Sequence, residues 1–376
     1  MRPRLSCLHG LCVVLTLVTA ACGAAGSPPG GSSVAPAASA ERASPASSGT
    51  GSTQPSVSAR EPAKPSAGGA ATANLSAKPA AGAPITIAWA APAPDYTPYW
   101  VAADEGLFAK HSQNVRLQYI QSGAATQALA AHDIDILSSS GEGINLRAEG
   151  QDVKYFATIN HTLRYGIYTQ KGNQVTISVQ GLTGKNYGAL APGAAPDIFV
   201  HEYLSQKGVD PAVLKVTYGL GSEAIFAALE TGKLEFGALS PPFSFKAQAS
   251  PSITTLVEAG TVQIPGTTGS LMAYTDWISK HEEEAKGIIL ALKDAAAFVK
   301  QQPAETQQII AKYLKFDQPT AKQIYDFGAK SWGAPDLLAD AQGIQVALKY
   351  ATNPGAKSLT PADLIYADNK LAKSVQ

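Results

Sequence analysis

Apolar residues recur along most of this chain in two alternating patterns, a short unbroken run and a spacing of three and four. Runs such as Ile85-Thr86-Ile87-Ala88-Trp89 have the length and content of buried strands, whereas the wider spacing is typical of helices. We predict strands at 85–89, 115–120, 133–137, 153–158, 163–169, 184–190, 215–218, 234–239, 253–257 and 270–275. We predict helices at 97–106, 124–132, 143–150, 196–207, 223–231, 282–300, 303–314, 320–329, 337–350 and 361–373.

The order of these elements predicts the fold class. Strands and helices alternate, which is the pattern of α/β proteins in which helices cover both faces of a parallel sheet. The part of the chain from Ile85 to Gln376 is also longer than one hydrophobic core usually spans. We therefore predict an α/β fold that is divided into two lobes.

The start of the chain has the features of an export signal. Arg2 and Arg4 precede a short apolar run at 11–18, and small residues lead up to Cys22. This run is well below the ~20 residues that a membrane-spanning helix needs. A cysteine after small residues resembles the bacterial lipobox, although Thr19 stands where that motif usually has leucine. The resemblance implies a signal peptide at 1–21 and a lipid on Cys22, with an ordinary signal peptide as the alternative.

The segment that follows, 22–84, consists almost entirely of alanine, serine, glycine, proline and threonine. It contains no aromatic residue and very few large aliphatic ones. Such a composition cannot bury enough apolar area to offset the entropy lost on ordering. We predict a disordered linker between the lipidated cysteine and the folded part.

Cysteine content and charge exclude several classes of function. Cys7, Cys12 and Cys22 all lie at or before the predicted cleavage site, so the folded part has no disulfide, thiolate zinc site or cysteine nucleophile. The formal net charge of the chain is zero, and no basic patch of the kind that nucleic acid requires is present in the sequence. We expect no nucleic-acid partner, no metal and no cofactor.

Five segments together resemble one known family, the substrate-binding proteins of ABC importers. The branch in question serves nitrate, sulfonates, taurine and the pyrimidine precursor of thiamine. The matching segments keep their order and spacing, and they lie at 96–108, 115–117, 128–135, 181–185 and 227–235. The resemblance implies the type II periplasmic-binding-protein fold, in which two α/β lobes are joined by two crossing strands and close over a ligand.

On this basis we expect lobe 1 to comprise 85–168 plus 275–376 and lobe 2 to comprise 169–274. The crossings are expected near 163–170 and 270–277. Ligands of α/β sheets bind outside the carboxyl ends of the strands, where helix N-termini present free N–H groups. The candidate ligand site therefore lies where two such edges face each other.

On lobe 1, candidate binding residues follow the first, third and fourth strands. Aromatic rings there could stack on a flat ligand, and hydroxyl, amide and carboxyl groups could bind its polar edges. Each residue also has an ordinary structural alternative, such as core packing or helix capping. The candidates on lobe 1 are Trp89, Tyr96, Tyr99, Ser139, Ser140, Glu142, Asn160 and His161.

On lobe 2, the candidates lie in loops that follow strands, and they are Gly193, Ala194, Gly221, Ser222 and Ser240. The loop at 192–196 stands where relatives have glycine-serine loops that bind anions, but it has no hydroxyl. Arg164 and Lys185 are the nearest candidates to meet an anionic ligand, and either could equally be a surface charge.

The resemblance implies a non-catalytic, monomeric protein that captures a small molecule and delivers it to an ABC permease and, indirectly, its ATPase. It would lie outside the cytoplasm, held to a bacterial membrane by the lipid on Cys22. A co-receptor for a membrane kinase and an enzyme on the same fold are the alternatives. The ligand could be a flat heterocycle such as a pyrimidine or flavin precursor, a sulfonate, nitrate or an aromatic acid.

Overall fold

A computed structural model describes residues 82–329, 332 and 336–376 of the chain. The predicted signal peptide, Cys22 and nearly all of the predicted linker lie outside these residues. Within the described ranges, no helix combines the length and the hydropathy required to cross a membrane.

Most of the predicted elements are present, with ends that differ by no more than four residues. The strands are β1 (Ile85–Trp89), β2 (Val115–Tyr119), β3 (Ile136–Ser139), β4 (Val153–Ala157), β5 (Asn160–Leu163), β6 (Gly166–Gln170), β7 (Asn186–Gly188), β8 (Lys215–Thr217), β9 (Phe236–Leu239), β10 (Ile253–Val257), β11 (Ile264–Thr268) and β12 (Ser270–Tyr274). The helices are α1 (Thr97–Asp104), α2 (Leu107–Lys110), α3 (Ser122–Ala130), α4 (Glu142–Ala148), α5 (Val179–Leu182), α6 (Ala195–Gln206), α7 (Ser222–Glu230), α8 (Phe243–Ala249), α9 (Thr275–Lys280), α10 (Glu282–Gln301), α11 (Pro303–Leu314), α12 (Gln318–Gly328), α13 (Ala341–Lys349), α14 (Pro361–Leu364) and α15 (Lys370–Ser374).

The strands form two five-stranded sheets of similar design. The first has the order β2-β1-β3-β12-β4 and the second has the order β10-β6-β9-β7-β8. In the first sheet β1 runs parallel to β2 and β3, and in the second β7 runs parallel to β8 and β9. The carboxyl ends of these parallel strands therefore form one edge of each sheet.

Neither sheet is purely parallel, which corrects the prediction from the alternating pattern. β12 is antiparallel to both β3 and β4, and β6 is antiparallel to both β9 and β10. These two strands enter their sheets directly after a connecting strand rather than through a crossover helix, so each runs opposite to its neighbours.

A separate antiparallel pair, β5 with β11, connects the two sheets. It lies a few residues before each of the predicted crossing segments, because 163–170 and 270–277 are largely occupied by β6 and β12. β11 escaped prediction since it contains Pro265 and Gly266, residues that normally argue against a strand. In this two-stranded pair the proline is tolerated, because each strand has a free edge.

Helix α13 packs between the two halves of the molecule. Gly343 on α13 lies so close to the backbone of Gly266 on β11 that an added Cβ would sit 2.6 Å from its carbonyl carbon. At the far end of the helix, Lys349 forms an ion pair of 2.6 Å with Glu202 on α6. The C-terminal region thus contacts both the connecting strands and the second sheet's helices.

Candidate functional site

A small cavity lies between the edges of the two sheets. Its lining comes from residues at or after the carboxyl ends of β1, β3, β7, β8 and β9, together with the connecting region. We call it the central cavity. The lining residues are Ala90, Ala91, Ala93, Asp95, Tyr96, Ser139, Ser140, Glu142, Tyr165, Leu190, Ala194, Ala195, Pro196, Ser222, Ala238, Ser240 and Thr268.

Asp95 and Tyr96 reach the cavity from the loop between β1 and α1. The Tyr96 hydroxyl donates a hydrogen bond of 3.2 Å to the backbone carbonyl of Ser138, which fixes its ring against the end of β3. Asp95 accepts a hydrogen bond of 3.2 Å from the Asn160 amide. Asp95 is partly accessible, but its surroundings shield the carboxyl group from solvent, and this desolvation raises its pKa to about 6. The nearby Arg164 opposes part of that rise.

Glu142 is the first residue of α4 and is buried, with 5% of its surface exposed. One carboxylate oxygen accepts a hydrogen bond from the Ser122 hydroxyl, and the other accepts one of 2.8 Å from the backbone N–H of Ser140. Burial raises the pKa of this carboxyl group, and the hydrogen bond from Ser122 works against that rise. The side chain is therefore held in one position at the floor of the cavity.

The edge contributed by the second sheet is mostly apolar. Leu190 and the segment 194–196 follow β7, and Ala238 lies near the end of β9. Its polar lining side chains are the uncharged hydroxyls of Ser222, at the start of α7, and Ser240. This edge presents an apolar cover to the more polar edge opposite.

The two edges touch at the rim of the cavity. The backbone N–H of Gly141 donates a hydrogen bond of 3.0 Å to the carbonyl of Gly193, and the Gln121 amide donates one of 3.1 Å to the carbonyl of Gly219. A Cβ on Gly141 would lie 2.9 Å from the Gly193 oxygen, so only glycine permits this approach. Gly193 itself has φ +78° and donates its N–H to the buried Asp197.

Seven of the thirteen predicted site residues line the central cavity: Tyr96, Ser139, Ser140, Glu142, Ala194, Ser222 and Ser240. They were predicted from one rule, that ligands meet the carboxyl ends of parallel strands. Their role in binding remains a proposal.

The other predicted side chains have structural contacts instead. Trp89 is packed among aromatic rings, with its ring centre 5.4 Å from that of Trp100. Tyr99 is fully buried and donates its hydroxyl hydrogen to the carbonyl of Gly269. The Asn160 amide bonds to Asp95, and a ring nitrogen of His161 is 2.9 Å from the carbonyl oxygen of Leu338.

Gly193 and Gly221 are also absent from the cavity lining. Gly193 forms the rim contact with Gly141, and Gly221 is the N-cap residue of α7, next to the lining residue Ser222. Gly193 and Gly221 therefore contact or adjoin lining residues but do not line the cavity themselves.

Asp95, Tyr165 and Thr268 line the cavity but were not among the predicted site residues. Asp95 adjoins Tyr96 in the same loop, so its position was a usable signal. Tyr165 and Thr268 belong to the connecting region, where the strand prediction merged β5 with β6 and omitted β11. Tyr165 and Thr268 reach the cavity because β5 and β11, which are distant in sequence, pair with each other.

The basic residues considered for an anionic ligand are engaged elsewhere. Arg164 donates a hydrogen bond of 3.2 Å to the carbonyl of Phe327, and its guanidinium group lies 4.9 Å from that ring's centre. Lys185 is paired with Glu235 at 3.0 Å. Within the part of the chain that the structure describes, no lysine, arginine or histidine lines the central cavity.

A protein-family profile described as NMT1/THI5 like matches residues 93–306, which is more than half of the chain. The match begins after β1 and covers the connecting strands and the whole of the second sheet. A search of curated protein sequences finds no match.

Solved structures of low sequence identity share the fold. A protein of Bordetella bronchiseptica RB50 has a TM-score of 0.65 at 21% identity, with 78% of this chain and 97% of that one covered. The periplasmic aliphatic sulphonate binding protein SsuA of Escherichia coli has a TM-score of 0.57 at 16% identity, with coverage of 76% and 99%. The periplasmic nitrate-binding protein NrtA of Synechocystis PCC 6803 has a TM-score of 0.58 at 13% identity, with coverage of 78% and 88%. The predicted periplasmic-binding-protein fold is confirmed.

Proposed function

This chain belongs to the NMT1/THI5-like family, and we propose that it is a non-catalytic, extracytoplasmic solute-binding protein of an ABC importer. The observation that carries the proposal is the central cavity, which lies between the carboxyl-end edges of two separate sheets. In such a fold a ligand is buried when the two halves close about their connecting strands. Similarity in fold to the sulphonate-binding and nitrate-binding proteins supports this function.

The proposal includes the parts of the chain that precede the cavity. A lipid on Cys22 would hold the protein at the outer face of the cell membrane, and the segment up to residue 84 would connect this anchor to the solute-binding part. Tethering raises the effective concentration of the solute-binding part near its permease. Replacement of the lipid-accepting sulfur, in Cys22→Ser, should release the protein from the membrane fraction.

The test of solute binding uses the purified full chain. The protein is denatured, and any small molecule that it releases is identified by mass spectrometry. That compound is then added back to the ligand-free protein while thermal unfolding is measured. A ligand present at 100 times its Kd should stabilise the protein by about 2.7 kcal/mol.

A matched pair of variants locates the binding event. Ser240→Trp would fill the mouth of the central cavity and should abolish the stabilisation, whereas Ser279→Trp on the exposed surface should preserve it. Failure to recover any solute, together with no stabilisation by a broad metabolite collection, would contradict the proposed function.

A further inference from the structure

The charged groups that line the central cavity are all of one kind, namely carboxyl groups. Asp95 and Glu142 both line it, and both come from the first sheet's edge. No positively charged side chain among the described residues lines the cavity with them. A sulfonate or nitrate placed there would meet two carboxyl groups, and the nearby Arg164, which lies beside Asp95, is not among the residues that line the cavity. Like charges that share a desolvated site repel strongly.

The surroundings of the two carboxyl groups strengthen this asymmetry. Glu142 is faced by the hydroxyl groups of Ser122, Tyr96, Tyr155 and Tyr165, none of which carries a positive charge. Burial disfavours its ionised form, and a cationic ligand would restore the interactions that water no longer supplies.

Asp95 has a different set of neighbours. The charged or titratable groups that face it are Arg164 and Tyr165, and the amide of Asn160 donates to one of its oxygens. Arg164 lowers the pKa of Asp95, but burial raises it by more, and Arg164 is one positive charge against two carboxyl groups. The site therefore retains an excess of negative potential when both carboxyl groups are ionised.

Two further features of the lining suit a donor-rich organic ligand. The hydroxyls of Ser140 and Thr268 are buried, with 3% of each residue exposed, and neither hydroxyl oxygen has a hydrogen-bond partner. A ligand with N–H groups would supply the missing partners, since a hydroxyl oxygen accepts as well as donates. Tyr96 and Tyr165 add aromatic rings, whose faces attract cations.

From these contacts we propose that the solute is a small organic cation, an ammonium or amidinium group on an apolar or aromatic body, rather than a sulfonate or nitrate. This inference rests on the proposed solute-binding function. The cation would lie between Asp95 and Glu142 on the first sheet's edge. Its apolar body would face Leu190 and the alanines of the second sheet's edge.

Three compounds of nearly the same shape test the sign of charge: benzylamine, benzyl alcohol and benzenesulfonate. Binding of each to the purified full chain is measured at neutral pH by calorimetry and thermal unfolding. Benzylamine should bind at least about tenfold more tightly than benzyl alcohol, because hydrogen bonds to charged groups are the stronger ones. Benzenesulfonate should not bind measurably.

Charge-removing variants of the same shape provide the second readout. Glu142→Gln and Asp95→Asn should each lower the affinity for benzylamine by about tenfold and leave that for benzyl alcohol nearly unchanged. The exposed residues Glu283 and Asp276 provide matched controls, Glu283→Gln and Asp276→Asn, which should bind as the natural protein does. In the natural protein, affinity for benzylamine should fall below a pH of about 6, as Asp95 takes up its proton.

The comparison of the three compounds on the natural chain does not depend on whether a variant folds. Equal or weaker binding of benzylamine relative to benzyl alcohol, tighter binding of benzenesulfonate, or no binding of any of the three would overturn the cationic ligand class. Recovery of an anionic or uncharged solute from the protein would do the same while preserving the proposed function. Recovery of no solute at all would count against that function itself.

Discussion

The two edges of the central cavity differ in chemistry although they are built to the same plan. Each edge is formed where parallel strands end, on a five-stranded sheet that also contains one antiparallel strand from the connecting region. The first edge carries two carboxyl groups, a tyrosine and two serines, whereas the second carries apolar side chains and two serines. Under the proposed function, the first edge would supply the polar contacts to a solute and the second edge would supply an apolar cover.

The carboxyl groups of the first edge lower the free energy of unfolding of the ligand-free protein, whereas the second edge has no charged lining group to do so. A carboxyl group whose pKa is raised binds its proton more tightly in the folded state than in the unfolded state. For Asp95, folding therefore becomes less favourable as pH rises from about 4 to about 6, and the penalty persists at neutral pH. A shift from 3.8 to about 6 corresponds to up to about 3 kcal/mol.

The largest effect that we predict follows from removing this penalty. Asp95→Asn should raise the free energy of unfolding of the ligand-free protein by up to about 3 kcal/mol at neutral pH. The amide oxygen can still accept the hydrogen bond from Asn160. Chemical denaturation at a series of pH values measures the effect, and the gain should vanish near pH 4.

The exposed Asp276 gives the control, since Asp276→Asn should not produce a gain that grows between pH 4 and pH 6. A loss of stability in Asp95→Asn at neutral pH would show that the carboxylate stabilises the empty site, and would remove the energetic difference between the edges.

The second prediction concerns the contact at which the two edges meet. In Gly141→Ala the new Cβ would lie 2.9 Å from the Gly193 oxygen, so the closed arrangement becomes overpacked. Overpacking costs roughly 1–3 kcal/mol, which should weaken solute affinity by about fivefold to 150-fold. Titration calorimetry gives the affinity, and small-angle scattering should show a larger radius of gyration.

Gly123 lies in helix α3 with no heavy atom within 4 Å of a built Cβ, and Gly123→Ala is therefore the matched control. Unchanged affinity in Gly141→Ala would mean that closure does not require contact at this rim, and that the second edge covers the solute in another way.

The smallest predicted effect compares one serine from each edge. The Ser140 hydroxyl is buried without a partner, so Ser140→Ala should leave the stability of the empty protein unchanged or slightly higher. With solute present it should lose about 1 kcal/mol of binding, the usual net value of one hydrogen bond. Ser240→Ala, on the partly exposed covering edge, should change affinity by less. Reversal of this order in calorimetry would place recognition on the second edge.

The strand ends could be predicted well from the sequence, because a short apolar run and the polar residues after it are adjacent in the chain. Tyr96, Ser139, Ser140 and Glu142 follow strands that were visible as short apolar runs, and all four line the cavity. The same inference could not separate Trp89 and Tyr99 from the neighbouring Tyr96, since all three are buried and only Tyr96 lines the cavity. All three are aromatic residues close to one strand end, and only packing decides which ring faces the cavity.

In the connecting region, the sequence pattern did not predict the strands correctly. β5 and β6 are separated by only two residues and were predicted as one strand, and the proline and glycine of β11 concealed it entirely. The single predicted helix at 361–373 is likewise divided into α14 and α15, with Ala367 and Asp368 in left-handed conformations between them. In these places tertiary contacts override the preferences of the local sequence.

By itself the sequence determined the family, the α/β class and the strand ends at which a ligand site could form, because periodicity, turn residues and short motifs are properties of neighbouring positions. Only the tertiary structure decided that Asp95 and Glu142 share one cavity and that Arg164 lies beside Asp95, bonded to Phe327, without lining that cavity. The sign of charge in a site depends on which distant side chains converge and which are already paired. That is set by the crossing of chain segments and by the packing of sheets, and no local pattern encodes it.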